Sequence, residues 1–166
     1  MNSFSSSTAM SMVMARVQYP LQYGVRELRQ VLKDNPTLTA DGFATYWTWD
    51  CLAERRRATF TDPRFVLEFD DCCRALATAK RIKTPTVGSY GLKHAVERLM
   101  GTYISHGALI CAAIAMGFTT KRYAPNALIG LSLRTDRAWR ERARWRKWVE
   151  RSDRPADWGF EEAPDN

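Results

Sequence analysis

The run from Ala108 to Met116, ALICAAIAM, is apolar on every side when wound as a helix. Such a helix offers no face to water, so it belongs in the centre of a core or at an interface between chains. Ser105 is expected to cap its N-terminus and Gly117 to close it, with Phe118 behind. The rest of the chain must then supply elements that each bury a single stripe against it.

Several segments have that pattern. Val25, Leu28, Val31 and Leu32 share one face of a helix that follows Gly24 and stops at Asn35-Pro36. A second helix is expected from Thr39 or Asp41 towards Arg57, lined by Phe43, Tyr46, Trp47 and Cys51 and closing on Glu54-Arg55-Arg56-Arg57, whose cations suit a helix C-terminus. Thr61-Asp62-Pro63 supplies cap residues and a first-turn proline for a third, in which Phe65, Phe69, Cys72, Cys73 and Leu76 recur up to about Arg81. Lys83 to Gly88 reads as a linker. Ser89 is expected to cap YGLKHAVERLM, where Leu92, Ala95, Val96 and Leu99 share a face and Gly101 ends the helix. FTTKRY and ALIGLSL flank Ala124-Pro125-Asn126 and suggest a short β-hairpin. The fold class is therefore mainly α: a compact domain of about six helices, with an α-hairpin core and one short β-hairpin.

At 166 residues the chain is most simply one domain. Residues 1–18, rich in Ser and Met, read as a disordered segment, 19–152 as the helical domain and 153–166 as an acidic flexible tail through Asp157, Glu161, Glu162 and Asp165. The start lacks the charged and apolar regions of a secretory signal, and no run of about 20 apolar residues is present to span a membrane. Cys51, Cys72, Cys73 and Cys111 lack CxxC spacing, which points to a reduced, cytoplasmic protein. Cys111, in its apolar run, reads as a buried, inert thiol.

The net charge of +7 favours a nucleic acid, an anionic surface or an acidic partner. Most of it lies between Arg134 and Arg154, where nine Lys or Arg stand against four Asp or Glu. Wound as a helix, DRAWRERARWRKWVER places Arg137, Arg140, Arg144, Lys147 and Arg151 within about 80° of one another. Ala138, Trp145 and Val149 form a neighbouring stripe, with Trp148 at its edge, and Trp139 lies about 120° from that stripe. If the helix packs on the domain, one of these two sides stays exposed. Arg137–Glu141 and Arg146–Glu150 are pairs at i, i+4, whereas Arg140, Arg144, Lys147 and Arg151 are expected to be free of acidic partners.

The helix pair from Ser89 to Gly117 followed by a hairpin invites a winged-helix reading. Against it, the second helix carries only Ser105 and His106 as polar residues, too few to read base edges. Lys121 and Arg122 in the hairpin are better candidates for phosphate contacts. SYGLKH, YxSxGALIxAAxxxGF and PNA, spanning about 45 residues from Ser89 to Leu131, resemble small, largely uncharacterised proteins of bacterial plasmids, integrative elements and phages. The resemblance implies a mobile-element setting, in which small proteins often bind DNA or block defence complexes such as CRISPR effectors.

His94 and Glu97 share a helix face and suit a metal or a shared proton, but spacing supplies no third ligand, although His106 approaches if the helix pair is tight. No phosphate-cradling loop or nucleophile elbow is signalled, and no cofactor is called for. Tyr46-Trp47-Thr48-Trp49 is expected mainly as core, its alternative being a stacking surface beside Arg55 to Arg57. The leading expectation is a non-enzymatic protein that binds DNA or RNA through Arg137, Arg140, Arg144, Lys147 and Arg151, with Lys121, Arg122, Trp139 and Trp148. The alternative is an anti-defence (anti-CRISPR) inhibitor or adaptor docking on an acidic protein or nucleoprotein complex. A homodimer through the apolar helix is open in either case.

Overall fold

The computed structural model describes the backbone of residues 24–152 and the side chains as far as Trp145. The Ser/Met-rich N-terminal segment, the acidic tail and the side chains of Lys147, Trp148 and Arg151 lie outside the described residues.

The apolar helix is α5, His106–Ala115, and it is central: Ala108 through Ala113 are fully buried. Around it pack α1 (Val25–Asp34), α3 (Pro63–Ala77) and α4 (Ser89–Met100), α3 most extensively of the three. Strands β2 (Gly42–Phe43) and β5 (Asn126–Ile129) cover the remainder. The covering helices bury the stripes expected of them: Leu28, Val31 and Leu32 on α1, then Phe65, Phe69, Cys72, Cys73 and Leu76 on α3, then Leu92, Ala95 and Val96 on α4. Asp62 caps α3 by accepting from the Arg64 amide at 2.9 Å, with Pro63 in the first turn. Gly101 and Gly117, both with positive φ, end α4 and close the turn after α5.

The fold is mostly helical, with two small antiparallel sheets. The expected hairpin forms from β4 (Thr120–Tyr123) and β5, and β3 (Val87–Gly88) joins the other edge of β5 in the order β3-β5-β4. The segment read as a linker is thus partly a strand.

The second sequence expectation fails. No continuous helix runs from Thr39 to Arg57. Strand β1 (Leu38–Thr39) pairs with β2 through a tight turn at Ala40-Asp41, a 3-10 turn occupies Tyr46–Thr48, and α2 spans Leu52–Thr61. The physical reason lies at Gly42, whose φ of 102° is closed to a helix. Asp-Gly between apolar residues is itself a hairpin signal. The arginine run consequently sits inside α2 rather than at its end. Arg56 reaches back to donate to the carbonyls of Leu32, Asn35 and Leu38 at 3.0–3.3 Å, satisfying the C-terminal end of α1.

The tightest point is where α5 begins. The Gly107 amide donates to the Ala40 carbonyl at 2.7 Å, and a Cβ on Gly107 would overlap the Thr39 carbonyl oxygen. Gly107→Ala is therefore expected to destabilise the fold by more than about 3 kcal/mol, since backbone lies on both sides of the clash. Chemical denaturation against Ala108→Gly, which adds no bulk, would check this.

Candidate functional site

The basic helix is α6, Leu133–Ser152. It packs on α4, and the side it turns inward is that of Trp139 and Ala143, one helical turn apart. Trp139 is only 8% exposed and belongs to the core cluster, whereas Trp145 is 64% exposed. Trp139 thus anchors α6 on the core, and of the two described indoles of this helix Trp145 is the outward one.

Arg140 is not free of an acidic partner, contrary to expectation. Its Nε donates to both carboxylate oxygens of Asp136 at 2.9 Å, one turn earlier. Its guanidinium lies over Gly91 of α4, where a Cβ would come within 3.0 Å of it. Arg140 therefore closes the α4–α6 seam. The outward side of α6 keeps Arg134, Arg137, Arg142 and Arg144 exposed, with Glu141 as the exposed acid among the described residues there. Leu133, Asp136, Arg137, Arg140, Glu141 and Arg144 line a shallow hollow of about 250 Å³ on this helix.

Arg122 is also engaged. It donates to the Ala44 carbonyl at 3.3 Å and lies 4.9 Å from the centre of the Phe43 ring, while Lys121 is exposed on the same strand. The winged-helix reading fails on burial, because α5, the would-be recognition helix, is enclosed.

The histidines form a second constellation. Tyr90, Lys93, His94 and Glu97 line one face of α4 at helical spacing. Glu97 accepts from Lys93 Nζ and pairs with His94 Nδ1, each at 2.7 Å, and accepts from the Ile104 amide at 3.2 Å. Burial alone would raise the Glu97 carboxyl, but these bonds outweigh it and hold the pKa below the ordinary value. Ser89 is not the cap of α4, a position taken by Gly88. Its buried hydroxyl instead bonds His106 Nε2 at 2.7 Å and accepts from the Ala127 amide at 3.0 Å. Sequence spacing gave no sign of this pair, since its members lie on separate helices.

Tyr90, Lys93, Tyr103, His106, Asp41, Pro125 and Asn126 line an open cleft of about 510 Å³. The SYGLKH and PNA segments, with Tyr103 and His106, thus meet at one place. An adjoining hollow of about 280 Å³ shares Asp41 and Tyr103 and is lined further by Arg55, Arg64 and Glu68. Asp41 pairs with Arg55, and Glu68 accepts from the Ser105 amide at 2.8 Å, its pKa raised by burial. Ser89 Oγ, with no exposed surface and both sides engaged, holds His106 in place rather than meeting a substrate. Among the described residues no group of three or more His, Cys, Asp or Glu is placed to hold a metal. Burial raises the thiols too, Cys73 to about 12 and Cys72 and Cys111 well above the usual value.

No helix among the described residues is long and apolar enough to cross a membrane. In comparison with known proteins, the chain matches no family model, no curated protein and no solved structure.

Two outcomes follow from this geometry. Trp139→Ala is expected to cost about 3–5 kcal/mol and Trp145→Ala less than about 1 kcal/mol, measured by urea unfolding. His106 carries a pKa lowered first by burial and then by the Lys93 charge. A base whose folded pKa is depressed binds its proton more readily when unfolded. Stability is then complete above the unfolded value near 6.5 and declines as pH falls towards the folded pKa. Thermal unfolding followed downward from neutral pH should show this decline, and His106→Gln should flatten it; Glu68, raised by burial, acts in the opposite sense at lower pH.

Proposed function

We propose that the protein is a non-enzymatic nucleic-acid-binding protein that grips phosphates with the outward side of α6. The observation that carries this reading is the inward turn of Trp139, which leaves Arg134, Arg137 and Arg144 exposed beside Trp145 on the opposite side. Among the described residues of α6, four exposed cations stand against one exposed acid, and such a surface draws a polyanion. Lys147 and Arg151, whose side chains lie outside the described residues, belong to the same reading by sequence alone, and Lys121 would add a contact from β4. Contacts of this type confer affinity with little sequence preference. The resemblance of the Ser89–Leu131 stretch to proteins of plasmids, integrative elements and phages sets this binding in a bacterial mobile element, in the reduced cytoplasm.

A second reading is favoured by Trp145, which stands exposed among arginines. Trp and Arg are the residue types that dominate interface energetics. An anti-defence (anti-CRISPR) inhibitor or adaptor docking on a host protein would use the same face. Pull-down with and without nuclease separates the two, since a partner that survives nuclease is a protein.

Gel-shift titration on a blunt duplex at several salt concentrations tests the first reading. With four phosphate contacts, log K should fall against log salt with a slope of roughly −3 to −4. Arg137→Glu combined with Arg144→Glu should weaken binding at least about tenfold and flatten that slope. Absence of any shift at low salt would defeat it.

A further inference from the structure

Two groups of aromatic rings stand exposed outside α6. Tyr46, Trp47 and Trp49 are 86%, 87% and 57% exposed, contrary to the expectation that they join the core, and the charges next to them in the chain, Asp50 and Glu54, are acidic. Tyr90 and Tyr103 are 60% and 70% exposed and differ from the first group in lining a cavity. This is the cleft of about 510 Å³ on which Asp41, Lys93, His106 and Asn126 also converge. Its volume lies within the roughly 300–1,000 Å³ of small-molecule sites, and its make-up of rings with a few polar groups is theirs too.

Those polar groups have hydrogen-bonding capacity to spare. Lys93 is buried, yet its Nζ carries three protons, of which Glu97 Oε1 takes one at 2.7 Å. The same ammonium lies 5.0 Å from the centre of the Tyr103 ring. The Oδ2 of exposed Asp41 meets Arg55 Nη1, which leaves Oδ1 as an acceptor. Among the described residues the Asn126 side-chain amide has no partner, so two donors and an acceptor are open there.

Charge narrows the kind of ligand. Lys93 and Asp41 oppose one another in sign, and His106 stays neutral because burial and the Lys93 charge lower its pKa. The adjoining hollow sets Arg55 and Arg64 against Asp41, Asp62 and Glu68. A free anion meets at least as many carboxylates as cations here, so a neutral molecule is the better match. A neutral planar ring with an acceptor beside N–H donors uses every feature of the cleft. Guanine is such a ring: its O6 accepts from a lysine, while N1–H and the N2 amino group donate to a carboxylate. Adenine has an acceptor at N1 and offers a carboxylate no such edge. Tyrosine rings stack on a base of either kind.

We infer that this cleft is a binding site for a nucleobase with the hydrogen-bonding pattern of guanine. Asp41 accepts from N1–H and the N2 amino group, Lys93 donates to O6, Asn126 adds an amide contact, and Tyr90 and Tyr103 supply stacking faces. The site is separate from α6, and a nucleoside carries no phosphate for α6 to grip.

The test is an amide NMR titration of the full chain with guanosine and with adenosine. Guanosine should shift the amides of Asp41, Tyr90 and Asn126 and bind at least about tenfold more tightly than adenosine. Asp41→Asn should weaken guanosine at least about tenfold and leave adenosine within about twofold. Tyr103→Ala should weaken both nucleosides, whereas Tyr103→Phe, which keeps the ring, should match the wild type. Thermal melting of these variants should stay close to that of the wild type, as both side chains are exposed. Absence of shifts at the cleft with guanosine at about 1 mM would overturn the inference. Equal affinity for the two nucleosides, or unchanged guanosine affinity in Asp41→Asn, would overturn it as well. None of these results bears on duplex binding by α6, which the gel shift reads independently.

Discussion

The junction at which α5 meets the β1–β2 turn fixes more of this molecule than any other contact. The Gly107 amide and the Ala40 carbonyl join there with no room for a side chain between the backbones. Because α5 lies inside a shell of α1, α3, α4, β2 and β5, its axial position sets where each of them can sit. The same junction delivers His106 to Ser89 and, through Ser89, to the Ala127 amide. Two helices, the hairpin and the small turn are thereby tied around one imidazole. An apolar helix alone would tolerate sliding and rotation, since its faces are chemically alike; the polar knot at its first turn removes that freedom.

The charge is less uniform than the formal +7 suggests. Arg56 serves the carbonyls that end α1, Arg122 lies over Phe43, Arg140 is paired with Asp136, and Arg74 pairs with buried Asp70 at 2.7 Å. Lys93 is held by Glu97. These cations are structural, and removing one would be felt first as lost stability. Other cations stay exposed, among them Arg134, Arg137, Arg142 and Arg144 on α6, Arg26, Arg29 and Lys33 on α1, and Lys121 on β4. The aromatic side chains divide in a similar way. Trp139 is spent on the core, while Trp145, Trp47 and Tyr46 face water.

Helices α1, α3 and α5 were legible from the chain because each combines a clean apolar period with a recognisable stop or cap. The hairpin at Ala124-Pro125 was legible for a comparable reason. In the 39–57 stretch the aromatic spacing suggests a helix, but Asp41-Gly42 is a turn dipeptide and the more local and more decisive signal. The Asp136–Arg140 pair is readable at i, i+4, since aspartate one turn earlier serves an arginine as glutamate does. By contrast, the choice between Trp139 and Trp145 depends on which side of α6 meets α4, and period alone leaves both sides open. The meeting of Ala44 with Arg122, or of Ser89 with His106, depends on chain-distant packing that no local pattern encodes.

The bonds around Ser89 make one oxygen the common partner of three elements. The Ala127 amide can only donate, so the Ser89 oxygen accepts from it, while His106 Nε2 stands 2.7 Å away on the other side. A residue with no exposed surface thus spans the gap between the hairpin and the first turn of α5. Without that oxygen, the amide and the ring would each lose a partner where water does not reach. The starts of two helices and one strand are pinned together by a single small side chain, so their mutual register is a property of one atom rather than of a broad apolar surface.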